Sequence, residues 1–131
     1  MKLLLDTHII LWAAAGSLPE NALEYILDES NELFFSSASI WEASIKSNLR
    51  RDDFDVDPQL LYHNLIANGY QELVITAKHT LTINTLPNIH KDPFDRLLIG
   101  QAITEGLHLI TADKIISEYA APIIFISHSV P

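Results

Sequence analysis

Three acids in this chain, Asp6, Glu42 and Asp113, each follow an apolar run of strand length, and a fourth, Asp95, stands at the start of a stretch with helical signals. Asp6 closes the run Lys2-Leu3-Leu4-Leu5. Glu42 follows Leu33–Phe35 by way of Ser39-Ile40-Trp41, and Asp113 follows Leu107–Thr111. Asp95 comes directly after Asp92-Pro93-Phe94. Carboxylates gathered within a few ångströms repel one another, and at least one then holds its proton more tightly than a free acid. A hard divalent cation removes that cost, and carboxylate oxygens suit Mg²⁺ or Mn²⁺ rather than softer metals. Such an ion makes water a better nucleophile and stabilises charge on a phosphate, while a neighbouring acid accepts a proton. The reaction class is metal-assisted phosphodiester hydrolysis, by one ion or by two about 4 Å apart.

Whether the acids meet depends on the elements that carry them. Lys2–Leu5 reads as a strand and Thr7–Ala15 as a helix stopped by Gly16. Ser17-Leu18-Pro19-Glu20 has capping-box spacing and opens a helix with Leu23, Ile26 and Leu27 on one face. Ser39-Ile40-Trp41-Glu42 repeats that spacing. It puts Glu42 in the first turn of a helix running to about Leu49, with Trp41, Ile45 and Leu49 on one face. The charged segment Arg50–Asp57 reads as a loop, and Asp57-Pro58 starts a helix ending at Gly69. Glu72–Ile75 is the third strand, and Thr76 caps a short helix. After a loop over Pro87–Pro93, Asp92 is an N-cap, Pro93 the first helical residue and Asp95 the third. That helix lasts to Gly106, a natural residue for the position after a helix end. Asp113–Tyr119 reads as a short helix and Ile123–Ile126 as a fifth strand.

Strands alternating with helices imply βαβ units, and strands that are apolar without alternation imply burial on both faces. The expectation is a single three-layer α/β/α domain over residues 1–131, with a central parallel sheet of four to five strands. Ligands of such sheets bind outside the carboxyl ends of the strands. Asp6 and Asp113 directly follow strands. A helix that follows a strand begins at that edge, which places Glu42 there. A helix that leads into a parallel strand must also begin there, which places Asp95. Topology alone brings the four to one rim.

Each acid also has a purely structural reading. Asp6 and Asp113 can be helix caps, Glu42 a capping-box acid, and Asp95 a favourable charge at a helix start. Asp92 is assigned to the cap and Asp95 to the metal. The six histidines are scattered, and His8, two after Asp6, reads as a partly buried structural residue, with an approach to substrate as the other reading. No His-x₃-His pattern marks a zinc site, and the absence of cysteine removes thiolate ligands and disulfides. Neither a nucleophile elbow nor a P-loop occurs. Lys46, Arg50 and Arg51 form a small basic patch, either a solvated helix end or a backbone-phosphate contact. The net charge of −9 argues against a non-catalytic RNA-binding module and leaves room for a basic protein partner. No apolar run is long enough for a signal-peptide core or a membrane span, so a soluble cytoplasmic protein is expected.

Four segments together resemble PIN-domain ribonucleases, and among them the VapC-type toxins of toxin–antitoxin pairs. They are LLLDTHIILWA at Leu3–Ala13, SSASIWEASIK at Ser36–Lys46, HKDPFDRLLIGQA at His90–Ala102 and LHLITAD at Leu107–Asp113. The resemblance implies an α/β/α fold and an Mg²⁺- or Mn²⁺-dependent endoribonuclease. By position the family's acids fall on Asp6, Glu42, Asp95 and Asp113, with Thr7 and Thr111 as hydroxyls beside the site. It further implies a homodimer, structured RNA substrates with transfer RNA among them, and a small antitoxin whose basic segment enters the acidic groove. Alternatives are a PIN-domain RNA-processing nuclease without a toxin role, and a phosphatase or phosphoacceptor with Asp6 as nucleophile. Such phosphatases want a second acid two residues on, where this chain has His8. A non-catalytic interaction module whose acids are only caps is the remaining reading.

Overall fold

A computed structural model of the chain describes residues 1–49 and 56–127. Its sheet consists of β1 (Lys2–Leu5), β2 (Glu32–Ser36), β3 (Gln71–Leu73), β4 (His108–Thr111) and β5 (Ile123–Phe125). All pairings are parallel and the order is β3-β2-β1-β4-β5. The helices are α1 (Thr7–Ala15), α2 (Glu20–Leu27), α3 (Ser37–Asn48), α4 (Pro58–Ala67), α5 (Ala77–Ile83) and α6 (Pro93–Glu105). This is the expected parallel α/β/α architecture, with five strands.

The three leucines of β1 show why the sheet is covered on both sides. Alternate strand residues point to opposite faces. Leu3 and Leu5 join Ile9, Ile10, Phe35, Leu61, Leu65 and Ile110 in one core under α1, α2 and α4. Leu4 joins Leu98, Ile99, Ala102, Leu109 and Ile116 in the other, under α6. All three are fully buried, and each contributes roughly 1.5–3 kcal/mol relative to an exposed side chain. The strand that ends in Asp6 is therefore firmly fixed.

The other site-bearing helix, α6, is defined at both ends. Asp92 Oδ1 accepts the backbone N–H groups of Phe94 at 2.8 Å and Asp95 at 3.4 Å, with Pro93 at the first position. Gly106 closes the helix in the left-handed region at φ 69°. Helix α5 packs closely on α6. A Cβ at Gly100 would lie 3.0 Å from the His79 carbonyl oxygen and 3.3 Å from Ile83 Cγ1. Buried His79 locks the pair. Its Nδ1 accepts the Thr76 N–H at 3.0 Å, so Nε2 donates to Glu105 at 2.7 Å.

Several local expectations change. Ser17 forms no capping box, because Pro19 is the N-cap of α2 and makes no side-chain cap; the Ser17 hydroxyl turns back to the Trp12 carbonyl at 3.4 Å. Leu23 and Leu27 of α2 are exposed, while Ala22 is buried. Ser39 is not an N-cap either: α3 begins immediately after β2, and Ser36 caps it by accepting the Ala38 N–H. Trp41 on α3 and Leu49, the residue after its end, are exposed. The third strand spans Gln71–Leu73 rather than Glu72–Ile75, and the fifth ends at Phe125. Asp113–Tyr119 is no helix beyond one 3₁₀ turn, Ile116–Glu118. The loop read over Arg50–Asp57 lies outside the described residues except for Val56 and Asp57.

Candidate functional site

The chain winds outward from β1 to β2 to β3, then returns to lay β4 on the other side of β1. The carboxyl ends of β1 and β4 are thus the point where the winding reverses, the usual place for a crevice. Asp6 leaves the end of β1. Its backbone N–H donates to Ile110 O at 3.1 Å, extending the ladder to β4. Its side chain is buried, with Oδ1 accepting the Ile9 N–H at 2.9 Å and Oδ2 accepting the Thr111 hydroxyl. Thr111 in turn accepts the Asp113 N–H at 3.0 Å, so one hydroxyl links the first and last acids of the set.

Glu42 sits in the second turn of α3, not the first, because that helix starts earlier than its apparent capping box suggests. It remains at the same rim and is buried. Thr7 Oγ1 lies 2.6 Å from Glu42 Oε1 and 2.9 Å from Ser39 Oγ. Lys46 Nζ lies 2.7 Å from Glu42 Oε2 and 3.7 Å from Asp92 Oδ2. Lys46 is thus placed against the acids; Arg50 and Arg51, read with it as a basic patch, fall outside the described residues.

Asp95 and Asp113 meet through a residue the sequence reading passed over. His90 Nε2 is 3.1 Å from Asp95 Oδ2 and 2.9 Å from Asp113 Oδ2. Ligand atoms of these three residues lie within 4.8 Å of one another. The sequence did hold a signal: His90 stands two before the N-cap Asp92, and its Nδ1 accepts the Asp92 N–H at 3.0 Å. His8, by contrast, is exposed rather than partly buried. With Asp6, Trp12, Ala112 and Asp113 it lines an open hollow of about 240 Å³.

Electrostatics identify Asp95 as the point where the negative charges add. Burial, followed by the charges of Asp92, Asp6, Glu42 and Asp113, pushes its carboxyl up to about 8. Burial also raises Asp6, to about 6, against the lowering effect of its hydrogen bonds from Thr111 and Ile9. The four acids named from the sequence are together in space, and their donor set is oxygen throughout. That set, strained by its own charge, fits a hard divalent cation. A larger hollow of about 340 Å³ between α1, α2 and α4 is lined by residues such as Ala13, Leu23, Leu61 and Leu65. Among the described residues its lining includes no acidic or basic side chain.

Residues 3–122 match the family described as PIN domain. The chain is 26% identical over 121 residues to Ribonuclease VapC22 of Mycobacterium tuberculosis, covering 91% of this chain and 92% of that protein. Among solved structures it superposes on a chain of VapBC2 from Rickettsia felis bound to a promoter DNA fragment. The TM-score is 0.74 at 18% identity, over 97% of this chain and all (100%) of that one. A chain of DNA-bound VapBC from Salmonella typhimurium gives a TM-score of 0.70 at 15% identity, over 95% and 98%. At these identities the structural likeness is one of fold.

Proposed function

The chain belongs to the PIN domain family, and from that premise we propose that it is an Mg²⁺- or Mn²⁺-dependent endoribonuclease whose ion is held by Asp6, Glu42, Asp95 and Asp113. One observation carries the reading: the Asp95 carboxyl is driven up to about 8 by burial and by the charges of the other acids, a condition that a divalent cation relieves. The Mycobacterium tuberculosis relative, a ribonuclease by name, supports RNA as the substrate.

When bound, the ion supplies charge stabilisation at the scissile phosphate and acidifies an attacking water. The chain's residues do the rest. The Ile9 N–H and the Thr111 hydroxyl hold both oxygens of Asp6 in place. Thr7 and Lys46 hold Glu42. Asp95, whose carboxyl the neighbouring acids raise in the metal-free site, would be held ionised as a ligand of that ion. Phosphoacceptor chemistry at Asp6 has less support, since its carboxylate is buried and both oxygens are engaged.

The same reading makes the chain the toxin of a toxin–antitoxin pair. Two of the solved structures it resembles are VapBC assemblies, and a net charge of −9 suits a small antitoxin with a basic segment. A homodimer is the expected assembly, and exposed Trp41 of α3 and Leu49, just past the end of that helix, offer apolar surface for it. The cytoplasm is the proposed location; among the described residues no helix is long and apolar enough to cross a membrane. The test is direct. Purified protein is expected to cut transfer RNA internally with Mg²⁺ or Mn²⁺, and EDTA to abolish cleavage. Asp6→Asn or Asp95→Asn should slow it at least about a hundredfold, some 2.7 kcal/mol in the barrier. Cleavage that persists in both variants overturns the assignment.

A further inference from the structure

His90 lies in the loop between α5 and α6, and its ring is set between two of the four acids. Nε2 is 2.9 Å from Asp113 Oδ2 and 3.1 Å from Asp95 Oδ2. The other ring nitrogen, Nδ1, accepts the backbone N–H of Asp92 at 3.0 Å. A nitrogen that accepts an N–H carries no proton, so the ring proton sits on Nε2. Nε2 then has no lone pair for a cation; it donates, and the carboxylate oxygens facing it accept. His90 is therefore not the third ligand of a His–Asp–Asp centre, although its distance alone would permit one.

The residue is also held from behind. Its backbone N–H donates to the Tyr119 hydroxyl at 2.7 Å. Arg96, next to Asp95 in sequence, turns its guanidinium onto the loop instead of the acids. Nη1 donates to Pro87 O at 3.0 Å and to the Tyr119 hydroxyl at 3.1 Å, with His90 O at 3.5 Å. Nη2 donates to Ile83 O at 3.1 Å. A ring anchored at its backbone, at Nδ1 and at Nε2 has one orientation. Capping α6 does not require this, because the Asp92 side chain caps it unaided.

Resting on the reading of the four acids as a metal centre, we infer that His90 is a positioning residue. Its Nε2–H bridges Asp95 and Asp113 and fixes the spacing at which the two carboxylates meet a divalent cation. Two carboxylate oxygens converging on one point repel and splay apart unless a donor stands between them. With the donor present, this side of the cluster is assembled before the ion arrives.

Titration calorimetry with Mn²⁺, using the full chain after metal stripping, tests the inference. His90→Leu should bind Mn²⁺ about tenfold or more weakly, whereas His90→Gln, which offers an N–H donor at similar reach, should stay within about threefold of the parent protein. Pulsed electron paramagnetic resonance of the Mn²⁺-loaded parent should show no directly bound imidazole nitrogen. Equal affinity of His90→Leu and the parent overturns the inference while leaving the metal centre intact, and so does a directly bound imidazole nitrogen. If the parent itself binds no Mn²⁺, the metal reading and this inference fall together. Should His90→Leu not fold, the resonance measurement and the affinity of His90→Gln decide: a bound imidazole, or loss of affinity despite the retained donor, counts against the role.

Discussion

At the scale of single residues, the site is a set of acids kept under electrostatic stress. Asp6 and Asp95 have folded-state pKa values of about 6 and about 8, raised first of all by burial. A raised acid favours the fold while it is protonated. Its contribution is fully present below the unfolded value near 3.8 and is lost as pH climbs through the folded value. The metal-free protein should therefore lose several degrees of Tm between pH 5 and pH 8.5, and Mn²⁺ should restore more of it at the higher pH. Scanning calorimetry with and without the ion checks this, and a flat metal-free profile would count against the raised values. Asp95→Asn should act in two opposed ways at pH 8. It should stabilise the metal-free fold by on the order of 1–3 kcal/mol, since each pKa unit is worth about 1.4 kcal/mol, while abolishing cleavage. The types of these acids were legible in the sequence. Their stress was not, since burial and mutual distance belong to the fold. His90 was missed for a similar reason: its role depends on where a loop turns its ring, and no periodicity encodes that.

At the scale of elements, the signals that survived were those tied to one backbone event. Asp57, Thr76 and Asp92 cap α4, α5 and α6 as their positions suggest. The capping-box spacings at Ser17 and Ser39 failed, because Ser three before Glu also occurs where no helix begins. At α3 the error was three residues, since Ser36 serves at once as the last residue of β2 and as the cap. Three residues is nearly one helical turn, about 4.5 Å of rise, so Glu42 kept its face and its rim. The α5–α6 contact offers a test at this scale. Gly100→Ala would push a methyl against the His79 carbonyl, which is backbone and cannot easily yield. A loss of about 1–3 kcal/mol is expected, read from the urea midpoint at an unchanged slope. An unchanged midpoint would mean the two helices can slide apart.

At the scale of the whole molecule, convergence at one rim followed from parallel strands alone, because every strand of a parallel sheet ends at the same edge. The order of the strands was not legible, and the order is what makes β1 and β4 neighbours and ties Thr111 to Asp6. Net charge belongs to this scale as well. With −9 overall and acids concentrated at the crevice, a basic antitoxin segment should bind faster at low salt. Its association rate should fall at least about tenfold between 50 and 300 mM NaCl, as measured by stopped flow. A salt-independent rate would argue that the partner docks elsewhere.

The hydroxyl that joins Asp6 to the end of β4 spans 105 positions of sequence. During synthesis, the first acid leaves the ribosome long before its companions at 95 and 113 exist. A growing chain, or one cut short ahead of β4, thus lacks both Asp113 and the Thr111 hydroxyl that links it to Asp6. The linked pair of acids exists only once β4 has been laid beside β1.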